Sequence, residues 1–586
     1  MTHCIAHNIS SPLGWTSEEN FAAVLQGRTK LTTHKGKWAL PQSFVASLFD
    51  DNAVEERFNS HVGDVGLALS RFEMLVVLSV KQAAEQAQIN LSSSDVGIVL
   101  ATTKGNVELL LPTNQPHIPR QRTLIAPSAA AIAHALGSPN TPHVVCNACI
   151  SGAHALLFAH RLLEMGQYRQ VVVCGCDVQS AFIVSGFQSF KAFSQAPCKP
   201  FDLYRDGLNL GEAAATMILS TTEPTTQRAW HIVGGAVRND AYHISSPSKK
   251  GEGCYRALVA TGVNDAENIA FVSAHGTATP YNDEMEAKAL HRAGLSAVPV
   301  NALKGIYGHT MGAAGVLETI LSMMSIEDRT VLPTIGFSEF GVSKPLLISA
   351  QAQPTSKRSF VKMLSGFGGC NVAMRWQWGE STANGNETQG QSKALPTLTP
   401  LRRVQITPQE VLIDGHTLAI DNPNGALLTV IYKQWANDYP KFYKMDGLSR
   451  LAFAAGELLT KGTEGLPSMA LDDSAAIVFV GNSGSLASDI KYQGTIQQAD
   501  NFFPSPAHFV YTLPNIATGE LAIRHNVHGE TAFFIASQPH EAQMGTLLQS
   551  AAMDGEAKQV VGGWLEYEDD THFEVQITLY HVERGA

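Results

Sequence analysis

Three short segments set reactive side chains among small residues, where apolar runs give way to helix-like stretches. The first reads Val144-Val-Cys-Asn-Ala-Cys-Ile-Ser-Gly152. An apolar strand runs into a turn there, and a helix follows directly. Cys149 therefore falls near a helix N-terminus, where free amides and the helix dipole favour thiolate over thiol. Cys146 and Cys149 also form a CxxC, but no second pair stands at ribbon spacing, which weighs against zinc or thioredoxin-like chemistry. The second segment, Phe271-Val-Ser-Ala-His-Gly-Thr-Ala-Thr279, predicts a strand ending at His275 and a helix opening near Asp283. The third runs from Lys304 through Gly308-His309 to Gly312-Ala-Ala-Gly315, with Glu318 following. No Gly-Lys-Ser/Thr follows its glycines, so a phosphate loop does not fit, whereas the small residues allow a helix to approach another backbone closely. One Cys and two His in Gly-rich strand-to-helix turns indicate thiol chemistry.

The elements that position these residues read as an α/β fold with covered sheets. Val96–Leu100, Val144–Val145 and Gln170–Gly175 read as buried strands; Ala153–Leu163 and Glu284–Ala293 read as helices. Gly379–Pro396, rich in Gly, Ser, Thr, Asn and Gln, reads as a linker between domains at 1–378 and 397–586. The 586-residue chain is long enough for several domains. It carries 41 Lys and Arg against 52 Asp and Glu, a formal charge of -11 with no basic run, which argues against nucleic-acid binding. No apolar stretch reaches the roughly 18–20 residues that span a bilayer. The start of the chain lacks a signal-peptide pattern, and the eight Cys do not form a disulfide framework, so the expectation is a cytoplasmic protein with reduced thiols.

Residues 1 to about 378 resemble the elongating β-ketoacyl-acyl-carrier-protein synthases. The resemblance rests on Ala148-Cys-Ile-Ser-Gly152, His275-Gly-Thr-Ala-Thr279, Lys304 through His309, Gly366-Phe-Gly-Gly-Cys-Asn371, and Pro200-Phe-Asp-Leu-Tyr-Arg-Asp-Gly207 with Gly211-Glu212. It implies a thiolase-like fold of stacked αβαβα layers, dimerising through the N-terminal halves. It also implies Cys149 as the acyl-accepting nucleophile, with His275 and His309 as donors to the enolate that malonyl decarboxylation leaves. By the same resemblance the amides of Cys149 and Phe367 form an oxyanion hole, Phe367 gates the site, and Thr277 and Thr279 bind the pantetheine arm. Lys304 and Glu318 form a buried supporting pair. No metal or cofactor is implied beyond the phosphopantetheine of an acyl carrier protein, the partner that delivers acyl and malonyl thioesters. Lys191, Lys199, Arg205, Lys249 and Lys250 are candidates for a basic patch meeting that acidic carrier. A thiolase would use a second Cys, a role open to Cys370, but the paired His motifs fit the elongating synthases better.

The segment after the linker resembles a truncated second copy of the first part's N-terminal half. Ala475-Ala-Ile-Val-Phe-Val-Gly matches Asp95-Val-Gly-Ile-Val-Leu-Ala, with helix-like stretches at Leu448–Leu459 and Gly545–Met553. Aligning Gln170-Val-Val with Gln559-Val-Val sets Gln538 opposite Cys149, and no counterpart of either His motif follows. Such a copy resembles the chain-length factors of type II polyketide systems, the aryl polyene and flexirubin kinds included. The expectation is a pseudo-dimer within one chain, elongating a polyketide or polyene. The alternatives are fatty acid elongation with a structural appendage and a non-condensing, acyl-binding scaffold.

Overall fold

Runs of Val, Ile and Ala become strands buried on both faces, and the glycines between them let helices settle closely on those strands. The computed structural model describes residues 2–111, 113–222, 228–380, 394–420, 426–462, 466–497 and 502–585. Fifteen of the described strands form three five-stranded sets with one shared order. The first comprises β1 (His3–Ser10), β2 (Val96–Ala101), β3 (His143–Val145), β4 (Gln170–Asp177) and β5 (Ala213–Ser220). They line up as β3-β2-β4-β5-β1, with β3, β2 and β4 parallel and β5 antiparallel to both its neighbours.

The second set comprises β6 (Arg228–Asn239), β7 (Ile269–Ser273), β8 (Pro299–Asn301), β9 (Ser359–Gly366) and β10 (Cys370–Glu380). It repeats the pattern as β8-β7-β9-β10-β6. The third comprises β11 (Thr397–Ile406), β12 (Ala476–Gly481), β13 (Thr531–Ile535), β14 (Gln559–Asp569) and β15 (His572–Glu583), in the order β13-β12-β14-β15-β11. This is a thiolase-like α/β fold. Strand β10 runs to Glu380, pairing Gly379 with Ala229 and Glu380 with Arg228, so the first two residues of the expected linker belong to a sheet. Residues 381–393 of that linker lie outside the described residues.

In the first region, helices α1 (Arg71–Ala87), α2 (Ile125–Leu136), α3 (Ser151–Glu164), α4 (Ala181–Ser189), α5 (Pro280–Arg292) and α6 (Ala314–Glu327) join the strands. Helices α3 and α6 pack on one another and are buried from nearly every side. Two glycines make that contact possible. A Cβ on Gly152 would lie 2.5 Å from the Gly312 carbonyl oxygen, and one on Gly315 would lie 2.2 Å from the Ala153 nitrogen. In the second region the corresponding helices are α7 (Gly447–Thr460), α8 (Leu486–Gly494), α9 (Ile516–His525) and α10 (Glu541–Ala552).

The two regions meet edge to edge. Strands β3 and β13 pair antiparallel, Val145 opposite Phe534 and Val144 opposite Ile535, and the Cys146 amide donates to the Phe533 carbonyl at 2.9 Å. Buried ion pairs cross the seam: Arg161 with Glu530 at 2.8 Å, Lys104 with Asp489 at 2.7 Å, and Arg238 with Asp554. Leaving one partner of such a pair alone costs about 3–5 kcal/mol.

Candidate active site

Strand β3 delivers Cys149 into a tight turn. Ala148 adopts φ 48°, the Ser151 hydroxyl accepts from the Asn147 amide at 2.8 Å, and the same hydroxyl donates to the Ala148 carbonyl at 2.6 Å. Strand β7 ends at Ser273, two residues before His275, and α5 opens at Pro280 rather than near Asp283. The Glu286 carboxylate, in the second turn of α5, accepts from the His275 amide at 2.6 Å and the Gly276 amide at 2.7 Å, which fixes the backbone carrying that imidazole. His309 is clamped by the 209–211 segment: its amide donates to the Asn209 carbonyl at 2.7 Å and its carbonyl accepts from the Gly211 amide at 3.0 Å. Gly308, at φ 69°, has no room for a side chain, since a Cβ there would lie 2.4 Å from the Leu210 carbonyl oxygen.

These placements bring one ligand-type atom each from Cys149, His275 and His309 within 4.8 Å of one another. The two imidazoles stand nearly perpendicular, with ring centroids 5.1 Å apart. The Met311 amide donates to His309 Nδ1 at 3.2 Å, which assigns the ring proton to Nε2. That Nε2 is buried and has no hydrogen-bond partner among the described residues, and the same holds for His275 Nδ1. Burial, then the charge of Lys304, holds both imidazoles well below their ordinary range, and Lys362 adds to this. Both are neutral at pH 7. His309 Nε2–H is a donor with no partner among the described residues, beside an unpartnered His275 ring nitrogen, which suits a substrate oxygen that gains negative charge.

Their support is larger than the expected pair. Lys304 Nζ donates to the His275 carbonyl at 2.6 Å and to Glu318 at 2.8 Å. Glu318 also accepts from Lys362 at 2.5 Å, and Lys362 reaches the Ser273 and Ala274 carbonyls at 3.1 Å. Burial would raise Glu318, but the two lysine charges outweigh it and hold its carboxyl below the usual range. Burial lowers Lys362 to about 8, against the pull of Glu318. With both lysines protonated the cluster carries one net positive charge beside the imidazoles. Lys362 was missed in the sequence, where its one signal is a lone cation inside the apolar strand Phe360-Val-Lys-Met-Leu364.

The thiol departs from expectation. Burial pushes the Cys149 thiol up to about 12, against a lowering by Lys304, and so opposes the thiolate that a helix terminus favours. All eight cysteines are free. A cavity of about 270 Å³ opens onto Cys149, His275 and His309; Phe187, Phe190 and Phe367 form its apolar side, and Thr277 and Thr279 stand in its wall. The two threonine hydroxyls lie 2.8 Å apart. A larger cleft of about 920 Å³, between Trp38, Phe58, Arg71 and Glu108, contains no Cys. Of the candidate docking cations, Lys191, Lys199, Lys249 and Lys250 are exposed. Arg205 instead donates to the Asp202 and Gly341 carbonyls at 2.8 and 2.6 Å and lies 3.7 Å from Asp283, which makes it part of the local structure. Gln538 lies in the turn after β13, as Cys149 lies after β3, but it is exposed. No helix among the described residues is long and apolar enough to cross a membrane.

Comparison with known proteins places these residues in context. Residues 5–224 match the β-ketoacyl synthase N-terminal domain and residues 230–338 its C-terminal domain. The 3-oxoacyl-[acyl-carrier-protein] synthase 2 of Vibrio cholerae is 28% identical over 404 residues, covering 62% of this chain and 95% of that protein. Its namesake from Rhizobium meliloti is 32% identical over 277 residues, covering 44% of this chain and 65% of that one. Among solved structures, the PfaC keto synthase–chain length factor matches 100% of this chain and 78% of its own, with a TM-score of 0.77 at 15% identity. The ketosynthase ApeO, solved with its chain length factor ApeC from Xenorhabdus doucetiae, matches 64% of this chain and 98% of its own, with a TM-score of 0.56 at 21% identity.

Proposed function

We propose, for a chain that belongs to the β-ketoacyl synthase family through residues 5–338, that Cys149, His275 and His309 carry out its condensation. The chain is an acyl-transferring enzyme, a 3-oxoacyl-[acyl-carrier-protein] synthase. One observation carries the assignment of residues: a thiol and two neutral imidazoles, each with a buried ring nitrogen that has no hydrogen-bond partner among the described residues, converge within 4.8 Å at one cavity.

In the first half-reaction the Cys149 sulfur attacks the thioester carbonyl of an acyl group on a carrier-protein pantetheine arm. The S–C bond to pantetheine breaks, and the thiol proton leaves with that sulfur. Thr277 and Thr279 hold the arm at the cavity wall. A malonyl thioester then loses carbon dioxide, and the electron pair left behind forms an enolate. His309 Nε2–H and the His275 ring donate to its oxygen, in the field of the Lys304–Glu318–Lys362 cluster. The enolate carbon attacks the acyl-Cys149 carbonyl, whose oxyanion is held by the Cys149 and Phe367 amides. Collapse expels the Cys149 thiolate, which takes up a proton from solvent, since its burial disfavours the charge.

In this reading residues 1–378 are the catalytic domain, and residues 397–586 form a chain-length-factor-like partner, making a pseudo-dimer in a single chain. Two facts support the partner's role. The β3–β13 pairing brings it against the strand that leads to Cys149. Its Phe509 ring packs against Phe187 and Phe190, with centroids 5.6 and 6.1 Å apart, behind the cavity wall. We assign the product to polyketide or polyene chains, aryl polyenes among them, from the likeness to ketosynthase–chain length factor pairs. The test is the mass of carrier-bound product after mixing the protein with an acyl-loaded and a malonyl-loaded carrier. One added ketide unit supports elongation, and Phe509→Ala lengthens the product distribution. An unchanged distribution would leave the second region a structural appendage.

A further inference from the structure

The turn that carries Phe367 is held from the second region. Gly366–Gly369 lies directly against the nucleophile: a Cβ on Gly366 would sit 3.3 Å from the Cys149 nitrogen. Within the first region, the Gly368 amide donates to the Ile244 carbonyl at 2.7 Å, and the Gly368 carbonyl accepts from Asn239 at 2.8 Å. The Phe367 carbonyl accepts from the Cys370 thiol at 3.3 Å and, from beyond the seam, more closely from Asn515 Nδ2 at 2.8 Å, which also reaches Cys370 Sγ at 3.7 Å.

Asn515 caps α9 and is buried, and its backbone is committed to that helix, with its carbonyl accepting from the Gly519 amide at 3.1 Å and the Thr518 hydroxyl at 2.7 Å. The first turn of α9 is pressed flat on the Phe367 turn. A Cβ on Gly519 would meet the Gly368 carbonyl oxygen at 2.5 Å, and one on Gly368 would meet Asn515 Nδ2 at 2.6 Å. Gly368 and Gly369, at φ 90° and 73°, occupy conformations open mainly to glycine, so the turn is held by its contacts more than by its own preference.

We propose that Asn515 is a positioning residue for condensation, through which the second region fixes Phe367 and its backbone beside Cys149. The second region then governs the rate of the chemical step as well as the space behind the cavity. This rests on the reading of Cys149 as the nucleophile. A displaced turn affects the steps that use the Phe367 amide and ring, so the effect falls on kcat while carrier binding, and with it KM, is retained.

The test uses the full-length protein with Asn515→Ala and Asn515→Asp. Alanine removes the donor, and aspartate sets a carboxylate oxygen against the Phe367 carbonyl. The expected result is kcat for condensation reduced roughly tenfold in Asn515→Ala and further in Asn515→Asp, with KM for malonyl carrier within about twofold of the parent. Thermal melting and intact-mass detection of acylated Cys149 are recorded alongside. Parental kcat in both variants overturns the proposal, as does a loss of rate that only tracks a fall in melting temperature. Failure of the parent protein itself to acylate Cys149 would instead defeat the underlying functional reading, so the two failures are distinguishable.

Discussion

The same five-strand order occurs on both sides of the β3–β13 seam, yet among the described residues only one side gathers a thiol and two imidazoles at a cavity. In the first region α3 is enclosed, and Gly152 is touched by the backbone of the His309 loop, which draws the Cys149 turn and His309 together. In the second region α10 takes the corresponding place after its strand, but Glu541, Ala542 and Gly545 are exposed, and a Cβ on Gly545 would meet nothing within 4 Å. No α6-like helix lies over it among the described residues. On the proposed reading, the strand–turn–helix scaffold alone makes no active site, and becomes one where a second sheet of the same order supplies two imidazoles and a charged cluster.

The contrast can be broken first at the two turns. Cys149→Ala abolishes elongation, whereas Gln538→Ala leaves carrier-bound product unchanged; an effect at Gln538 would contradict the division of labour. Next in size, His309→Ala lowers the condensation rate roughly 10²–10³-fold while Cys149 still acquires an acyl group, as read by intact mass. The supporting charge gives a pH signature in the same step. Lys362 titrates at about 8, so its charge is present below that pH and lost above it, and condensation slows as pH rises past about 8.

The seam is tested through Glu530. Burial would raise its carboxyl, but the Arg161 charge and the His154 hydrogen bond hold it at about 2, below the ordinary 4.5. That depression contributes about 3 kcal/mol, fully present above pH ~4.5 and lost as pH falls towards 2. Glu530→Gln removes this acid-sensitive part, which denaturant melts across that range will show. The smallest effects lie on the helices. Gly152→Ala overpacks against backbone and costs about 1–3 kcal/mol, whereas Gly545→Ala stabilises by up to about 1 kcal/mol in thermal melts.

Much of this contrast is legible in the sequence. The buried strands, the Cys149 turn, both His motifs and the close-packing glycines are local features, each visible within a dozen residues. What escapes is non-local. Lys362 completes the cluster from a strand far along the chain, Glu286 reaches back to the His275 amide, and Asn515 crosses from the other region. The burial that raises Cys149 is non-local as well: a helix terminus is a local inference, while burial comes from packing of the whole fold. Arg205 looks like a free surface cation in sequence and is instead tied down by carbonyls brought in from elsewhere.

The most direct test of the central claim follows one atom. The intact protein is incubated with short-chain acyl carrier, the adduct is mapped by peptide mass, and malonyl carrier is then added. The expected result is an acyl adduct on Cys149 that disappears as an elongated carrier-bound product forms. An adduct on any other cysteine, or a Cys149 adduct that persists in the presence of malonyl carrier, would contradict it.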